Sequence, residues 1–303
     1  MKAIIRKLDP HYIIDWLLNQ KVSHVLSDKM YIRLRYWVHM KKKLHINPPV
    51  TFNEKLQWLK LFGNKDEYTK MADKESAKEY VAEIIGRRYI IPTLGVWSSF
   101  KDIDFEQLPN KFVLKCTHNS GGVIICSDKN HFDKVRAEEV LSSCLSENFY
   151  YEGREKQYKN IIPQIIAEQY MEDKSGALID YKVHVFNGIP KFILVCSDRF
   201  AESGLSEDFY DTDWNHMDVQ RPNHRTAGAV YERPAMLEDM LRFASILAGQ
   251  IPFLRVDYYV INDQLYFGEL TFFPADGMAP FEPESWDYTF GNWLTLPSEM
   301  GEC

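Results

Sequence analysis

The sequence predicts an α+β protein in which helices come first and paired strands follow. Residues 11–45 carry apolar and aromatic residues at helical spacing, and residues 73–85 form a further helical run that ends at Gly86. Near the other end, two strand-like runs, 253–261 and 264–273, flank the turn Asn262-Asp263. Such a turn favours a hairpin. A chain of 303 residues is long enough for one large domain or about two to three smaller ones.

Local signals indicate the other elements. Thr51-Phe52-Asn53-Glu54 has the pattern of a capping box and predicts a helix to about Leu61. A polar composition indicates a mobile connection at 149–160 and a long loop at 198–233. Asn187-Gly188 predicts a turn between two strands. The remaining expected elements are strands at 111–116, 123–126, 161–171, 179–186 and 190–197, and helices at 132–148 and 234–249.

Composition excludes several classes of protein. The net charge of −7 does not indicate binding to nucleic acid. The five cysteines form no Cys-x-x-Cys pair, so we expect reduced thiols and a cytoplasmic protein. The first residues form no uninterrupted apolar core of signal-peptide length. No apolar run approaches the roughly 20 residues that a spanning helix needs.

One local segment departs from the acidic average. Residues 29–46 contain six lysines and arginines and no acidic residue. One interpretation is a solvated helix face beside a packed aromatic one. The other is a contact with a polyanionic substrate or with an anionic membrane surface, peripheral to polysaccharide machinery at the inner membrane.

Two carboxylates, Asp257 and Glu269, lie on the two runs of the hairpin. Both runs are rich in apolar and aromatic residues, so both are expected to be inner strands. Burying two neighbouring carboxylates is unfavourable unless a cation compensates them. Carboxylate oxygens suit a phosphate-bound Mg²⁺. The hairpin is therefore a candidate metal site.

A phosphate-binding segment is predicted upstream of the hairpin. Lys115 places a cation near the end of a strand, and Gly121-Gly122 let backbone N–H groups approach phosphate oxygens closely. The polar residues between them add side-chain donors: His118, Asn119 and Ser120. Each signal alone is weak, since a Ser-Gly-Gly loop is usually a tight turn. Their order along the chain favours a nucleotide site.

The segment Glu168-Gln169-Tyr170-Met171 has the form of a link between two lobes. Its backbone is a candidate for reading an adenine edge, with apolar neighbours on either side of the ring. Lys182, on the next strand, is a candidate for contact with a γ-phosphate.

The chain resembles the ATP-grasp superfamily, and specifically the TupA-like ATP-grasp family of bacterial cell-surface polysaccharide clusters. The resemblance extends from about Leu26 to Trp293. The segments TFNEKLQWLK and KCTHNSGG are its most specific parts. The carrying segments are 51–60, 72–74, 111–122, 167–171, 180–188, 209–215 and 255–277.

This resemblance implies an ATP-grasp fold, two α+β lobes that clasp ATP, preceded by a helical N-terminal region. It divides the chain at 1–70 (helical region), 71–110 (pre-ATP-grasp segment), 111–170 (lid lobe) and 171–303 (C-terminal lobe with the metal site). Lys74 and Lys115 match the two phosphate-contacting lysines, and Gly121-Gly122 match the lid loop. Residues 168–171 match the adenine hinge.

The resemblance also assigns the metal ligands, with one departure. Asp257 and Glu269 match the magnesium ligands, but Thr271 stands where many members have asparagine. A threonine hydroxyl is a weaker Mg²⁺ ligand than an amide oxygen, which puts a second metal ion in doubt. Arg199 and Arg255 are candidates for gripping a substrate carboxylate, because an arginine fork fits that geometry.

The expected function is an ATP-dependent carboxylate–amine ligase that works through an acyl-phosphate. The family context suggests amidation of a uronic acid of a surface polysaccharide by an amine or amino acid. Two alternatives stay open: a glycosyltransferase that uses Asp211 and Asp213, and a non-catalytic ATP-binding assembly partner. A phosphotransferase would use the same cleft.

Overall fold

The computed structural model describes residues 9–174, 178–197, 204–222, 224–227 and 230–298. It begins with three helices: α1 (Pro10–Leu18), α2 (Asp28–Met40) and α3 (Phe52–Phe62). The predicted capping box is present, because the Thr51 side chain accepts from the Glu54 backbone and the Glu54 side chain accepts from the Thr51 backbone. No helix of the described residues is long and apolar enough to cross a membrane.

Two further helices lead into the first sheet, α4 (Tyr68–Ala72) and α5 (Lys74–Ile85). The Asp73 side chain accepts a hydrogen bond from the Ser76 backbone and so caps α5. Gly86, with φ of 107°, ends the helix as predicted, in a conformation that favours glycine.

The first sheet is four-stranded and antiparallel, in the order β1-β4-β2-β3. Its strands are β1 (Thr93–Trp97), β2 (Phe112–Cys116), β3 (Ile124–Cys126) and β4 (Ile165–Gln169), and α6 (Lys134–Leu145) packs against it. Strand β4 begins at Ile165 rather than at Ile161. Pro163 explains the late start, because proline has no N–H to donate to the ladder.

The segment predicted to be a mobile connection is instead folded. It contains α7 (Tyr150–Gly153) and a 3-10 turn at Lys156–Tyr158. The charged side chain of Arg154 is almost fully buried, with its guanidinium 4.4 Å from the ring centroid of Tyr31. Polar and aromatic residues here are core residues, so composition alone gave the wrong interpretation.

The second sheet is five-stranded and antiparallel, in the order β7-β6-β5-β8-β9. Two helices accompany it, α8 (Leu237–Ala248) and α9 (Ser285–Trp293). Helix α8 begins at Leu237, three residues beyond the predicted start at Pro234, which instead accepts from the Leu237 N–H in a turn. The strands are β5 (Asp180–Phe186), β6 (Ile189–Ser197), β7 (Ser206–Asp211), β8 (Phe253–Ile261) and β9 (Gln264–Thr271).

Strand β7 corrects the prediction that 198–233 is a loop throughout. Its acidic residues gave no strand signal, yet Glu207 and Asp208 are both buried. Arg221 lies 3.3 Å from the Glu207 carboxylate, and His216 lies 3.4 Å from that of Asp208. Pairing with these later residues allows the acids to be buried.

Each face of the second sheet has its own core. Helices α4, α5 and α8 cover one face, where Val183, Val256 and Leu247 are buried. Helices α3 and α9 cover one end of the other face, where Phe52 packs on Phe186. The rest of that second face holds charged side chains and forms one wall of the candidate site.

Candidate active site

The charged face of the second sheet is assembled by strand register. Lys182 stands opposite Asp257, and Asp257 stands opposite Glu269. The neighbouring row places Arg255 opposite Thr271. Directly opposite residues of an antiparallel pair share a face. The predicted closeness of the two carboxylates is thus present as a cross-strand pair.

Asp257 is the centre of an ion-pair network. The Arg255 guanidinium donates to both of its oxygens, from Nε at 2.6 Å and from Nη2 at 2.7 Å. Lys182 Nζ donates to Oδ2 at 2.6 Å. Burial favours a raised pKa for Asp257, but Arg255 and Lys182 outweigh it and hold that pKa far below its usual range. The ionised form of Asp257 is therefore favoured.

Glu269 is the accessible carboxylate of the pair, with 44% of its side chain exposed. Its Oε1 accepts from Arg255 Nη2 at 2.9 Å and from the Thr271 hydroxyl at 3.3 Å. Thr271 thus contacts Glu269 and helps to orient it. Within the described ranges, no protein donor is found for Glu269 Oε2.

This donor set fits one hard divalent cation. Among the described residues, no group of three or more His, Cys, Asp or Glu side chains could enclose a metal by itself. Mg²⁺ commonly uses one or two carboxylates and takes its remaining ligands from phosphates and water. Glu269 offers an open oxygen. Asp257 lies opposite it, but both of its oxygens already accept from Arg255 or Lys182, so a metal would have to share them.

The first sheet contributes a second cluster, centred on Glu168. Lys115 Nζ, from β2, lies 2.6 Å from Oε2 of this carboxylate. Lys78 Nζ, from α5, donates to Oε1 at 2.7 Å. Burial favours a raised pKa for Glu168, but the two lysines outweigh it and the net pKa is lowered. Lys115 is therefore engaged by a protein carboxylate at the position where a phosphate contact is predicted.

Lys74 connects the two clusters. Its ammonium donates to the backbone carbonyl of Asn119, and its backbone N–H donates to Thr117 at 3.0 Å. Burial lowers the pKa of Lys74, with Lys115 adding to the effect and Glu269 opposing it. The start of α5 therefore lies beside both the glycine-containing loop and the second sheet.

The residues of the loop after β2 have different surroundings. The His118 ring Nε2 lies 3.1 Å from the carbonyls of Cys144 and Glu147, at the end of α6. Asn119 is buried, and its side-chain oxygen has no hydrogen-bond partner in the described structure. Ser120 and Gly121 are exposed. His118 is thus positioned to hold the loop against α6, and its role as a nucleotide donor stays a prediction.

The predicted hinge begins at the end of β4. Tyr170 and Met171 lie beyond the strand, on the path from the first sheet to the second. Gln169 N–H donates to the Pro92 carbonyl at 3.0 Å, so this donor already has a partner. The role of residues 170 and 171 as an adenine hinge stays a prediction.

The loop that follows β9 is fixed by the N-terminal helices. Lys60 of α3 is fully buried, and its ammonium donates to the Gly153 carbonyl at 3.0 Å and to the Asp276 carbonyl at 2.8 Å. Arg35 Nε donates to the Asp276 carboxylate at 2.9 Å. One member of the basic segment 29–46 is therefore a structural ion-pair partner.

Two residues near the cleft were missed from sequence. Lys78 follows Lys74 by one helical turn, and this i, i+4 spacing could have suggested it. Tyr158 is the other. Burial raises its pKa well above the usual range, with Glu155 and Glu269 adding to the effect and Arg255 opposing it. No local pattern marks Tyr158, because its neighbours come from distant strands.

Two candidates from the sequence remain, Arg199 and Asp211. Arg199 lies outside the described residues. Asp211 is used locally: its Oδ1 accepts from the backbone N–H groups of Asp213 at 3.0 Å and Asn215 at 2.8 Å. This pattern is a side-chain-stabilised turn. The Asp-x-Asp sequence therefore has a structural explanation.

A family model described as TupA-like ATPgrasp matches residues 54–295. The chain belongs to this family. The match includes the ion-pair network, the glycine-containing loop and the link between the sheets. The fold is accordingly an α+β ATP-grasp-like fold with two antiparallel sheets and an N-terminal helical region. No match was found among curated proteins.

Similar solved structures are distant. The biotin carboxylase domain of Hydrogenobacter thermophilus 2-oxoglutarate carboxylase is 16% identical over 76% of this chain and 47% of its own, with a TM-score of 0.41. D-alanine–D-alanine ligase from Bacillus anthracis complexed with ATP is 17% identical over 75% and 58%, with a TM-score of 0.36. The Helicobacter pylori ligase of that name is 13% identical over 80% and 69%, with a TM-score of 0.41. The chain spans about half the length of the first structures it matches.

Proposed function

We propose that this protein is an ATP-dependent carboxylate–amine ligase. Membership of an ATP-grasp family supports ATP as the nucleotide. The observation that carries the proposal is that Lys74, which contacts the loop after β2, lies within electrostatic range of both Lys115 and Glu269. Lys74 and the loop after β2 supply cations and backbone donors, while Asp257 and Glu269 supply anionic oxygens from the other lobe. A triphosphate with its metal needs both sets.

The reaction proposed is acyl transfer through an acyl-phosphate. A carboxylate oxygen of the first substrate attacks the γ-phosphorus of ATP, and ADP leaves. The amine then attacks the acyl carbon, inorganic phosphate leaves, and the amine loses a proton. The overall products are an amide, ADP and phosphate, so no covalent enzyme nucleophile is required.

In this scheme the protein places charged side chains around the phosphates and the substrate carboxylate. Lys115 and Lys74 hold the phosphates, and Lys182 neutralises charge at the γ-phosphoryl group. Asp257 keeps Lys182 and Arg255 in place through its paired oxygens. Arg255, close to both metal-facing carboxylates, is the candidate for gripping the acyl-phosphate or the substrate carboxylate.

Glu269 and Asp257 are proposed to hold a magnesium ion, with Thr271 orienting Glu269. When bound, Mg²⁺ polarises the phosphoryl oxygens and neutralises their charge. The proposal is for one ion, because no group of three or more such side chains among the described residues could hold a metal and Thr271 contacts Glu269.

The substrates are proposed from the family context alone. The first is a carboxylate-bearing sugar, such as a uronic acid of a capsular or other surface polysaccharide, and the second is an amine or amino acid. A reaction that consumes ATP, together with five cysteines in no paired motif, favours the cytoplasm as its compartment.

The two alternatives differ in what supports them. A glycosyltransferase would use Asp211 and Asp213 as a metal pair, but Asp211 already accepts from the backbone of its own turn. A non-catalytic ATP-binding partner would bind nucleotide without consuming it. Nucleotide preference separates the first alternative from the ligase, and turnover separates the second.

The decisive experiment measures ATP consumption with Mg²⁺ against a matrix of uronic-acid-containing glycans and amines. ADP and phosphate are quantified, and mass spectrometry follows the product. We expect an amide lighter by one water than its two parts. Asp257→Asn and Glu269→Gln should abolish turnover and leave thermal unfolding cooperative. Asp263→Asn, an exposed change at the tip of the same hairpin, is the matched control and should keep full activity. Normal turnover by both site variants would refute the metal assignment.

A further inference from the structure

Helix α1 packs on the protein through a mixed side, on which the buried Leu18 and the half-buried Ile14 accompany His11 and Asp15. The His11 ring stacks on Trp37 of α2 at 3.9 Å between centroids, and the Asp15 carboxylate lies 3.5 Å from His39. The buried His11 Nδ1 has no hydrogen-bond partner in the described structure. Half of these inward residues are polar, whereas a helix that only packs on the body commonly turns an apolar stripe inward.

The outward side of α1 is apolar. The exposed residues at 12, 13, 16 and 17 follow one another at helical spacing and so share a single stripe. Trp16 is 56% exposed, and beyond the helix Val25 is 84% exposed. The complete set of exposed apolar residues on this hairpin is Tyr12, Ile13, Trp16, Leu17, Val22, Val25 and Met30.

Cations accompany this apolar stripe. Lys21 lies in the turn after α1, and Lys29 and Arg33 lie one helical turn apart on α2; all three are exposed. The acidic residues of the same hairpin have intramolecular partners. Asp9 caps α1, and the Asp28 carboxylate accepts from the Tyr150 hydroxyl at 2.6 Å. The outer surface is therefore cationic and apolar on a protein whose net charge is −7.

We propose that this hairpin surface, residues 10–33, docks on the surface of a membrane that contains anionic lipid. Exposed aliphatic side chains insert at the level of the acyl chains, and tryptophan and tyrosine suit the headgroup region. Lysine and arginine are attracted to anionic headgroups, while the rest of the acidic protein is repelled. No residue of the ATP cleft takes part, so the proposal is independent of the ligase reaction.

Vesicle co-sedimentation of the full chain tests this proposal. We expect binding to phosphatidylcholine vesicles that contain about 30% phosphatidylglycerol, weak binding without the anionic lipid, and release in about 0.5 M NaCl. Ile13→Ser/Trp16→Ser should weaken binding at least about tenfold. Ile162→Ser/Tyr288→Ser, which alters equally exposed apolar residues elsewhere, is the matched control and should bind like the wild type.

Two double charge-reversal variants distinguish binding to anionic lipid from non-specific hydrophobic adsorption. Lys29→Glu/Arg33→Glu should lose at least about tenfold in affinity for anionic vesicles, since each cation near the surface contributes about fivefold. Lys101→Glu/Arg136→Glu changes the net charge equally and should have little effect. The proposal is overturned if the wild type ignores anionic vesicles, or if the apolar variant binds as well as its control. It is also overturned if light scattering finds a dimer in lipid-free solution that Ile13→Ser/Trp16→Ser abolishes, because the surface would then be a self-contact.

Discussion

Single residues in the cleft have partners that ATP would have to replace or share. Lys78 and Lys115 hold the same carboxylate at nearly equal distances, 2.7 and 2.6 Å. Removing either lysine leaves Glu168 with one cation, so the structural costs of the two changes are similar. Any difference in ATP affinity between the two variants then reports the contact with phosphate.

We expect Lys115→Met to weaken ATP binding at least about tenfold, because a hydrogen bond to a charged group contributes about 1.5–3 kcal/mol. Lys78→Met should weaken it less than about threefold. Titration calorimetry with ATP and Mg²⁺ measures both, and thermal unfolding checks that both variants fold. Equal losses would mean that Lys78 is itself a phosphate ligand.

Glu155 gives a prediction about pH. Burial raises its pKa from 4.5 to about 8, with Asp276 adding to the effect and Lys60 opposing it. Between about pH 4.5 and 8 the unfolded chain loses this proton while the folded chain keeps it, so stability falls as pH rises through that window. Glu155→Gln removes the titration. We expect its melting temperature to exceed that of the wild type by a few degrees at pH 8 and to match it near pH 5.

The control for this pH effect is Glu106→Gln, which changes an exposed acid in the loop before β2. It should keep the wild-type dependence of stability on pH. A wild-type protein that is equally stable at pH 5 and pH 8, or a Glu155→Gln variant with the same slope as the wild type, would contradict the assignment.

The site residues that could be predicted from sequence are those paired by neighbouring strands. Asp257 and Glu269 lie on one hairpin, so a local pattern fixes their closeness. The contact between Lys78 and Glu168 joins a helix to a strand 90 positions later, and no local pattern encodes it. His118 was assigned by its place in a polar loop, yet its ring contacts the carbonyls of α6.

At the scale of elements, the glycine-containing loop is held against α6. A Cβ at Gly122 would lie 2.6 Å from Cys144 Sγ, whereas a Cβ at Gly121 would meet nothing within 4 Å. Both glycines have positive φ, 103° at Gly121 and 63° at Gly122. Both alanine variants therefore carry backbone strain, but only Gly122→Ala adds a clash with a helix.

We expect Gly122→Ala to cost about 1–3 kcal/mol of stability through this clash, in addition to strain. Adding Cys144→Ala to Gly122→Ala should recover most of the stability that the clash removes. Adding it to Gly121→Ala should recover no stability. Urea unfolding of the two double-mutant cycles measures both coupling energies. A similar rescue at both positions would mean that the loop does not pack on α6 as described.

Elements with strong local signals were predicted well, and those stabilised by distant partners were not. The capping box at Thr51, the stop at Gly86 and the hairpin turn at Asn262-Asp263 are all present, and each depends on adjacent residues. Strand β7 and helix α7 were missed. Their polar residues are buried because partners elsewhere in the chain neutralise or cover them.

At the scale of the whole molecule, the N-terminal helices and the second sheet share one core, although the division implied by the resemblance places a boundary at residue 70. Phe52 of α3 is 4% exposed and packs 5.0 Å from the ring centroid of Phe253 on β8. The first sheet has a separate core, in which Phe112 is fully buried against Phe132 at 5.2 Å. The packing therefore divides the molecule into two bodies. One of them combines the N-terminal helices with the second sheet, which are separated along the chain by the first sheet.

This division predicts which regions open together. Phe52→Ala and Phe112→Ala should each cost about 3–5 kcal/mol of local stability. In hydrogen exchange, Phe52→Ala should speed exchange in α2, α3, β5 and β8 together and leave β2 and β4 at wild-type rates, while Phe112→Ala should do the reverse. The two variants control for each other, since both remove a buried phenyl ring. If either change accelerates exchange in both bodies, the two bodies unfold as one unit. In that case the first sheet is not stable independently of the rest, and the division described above is wrong.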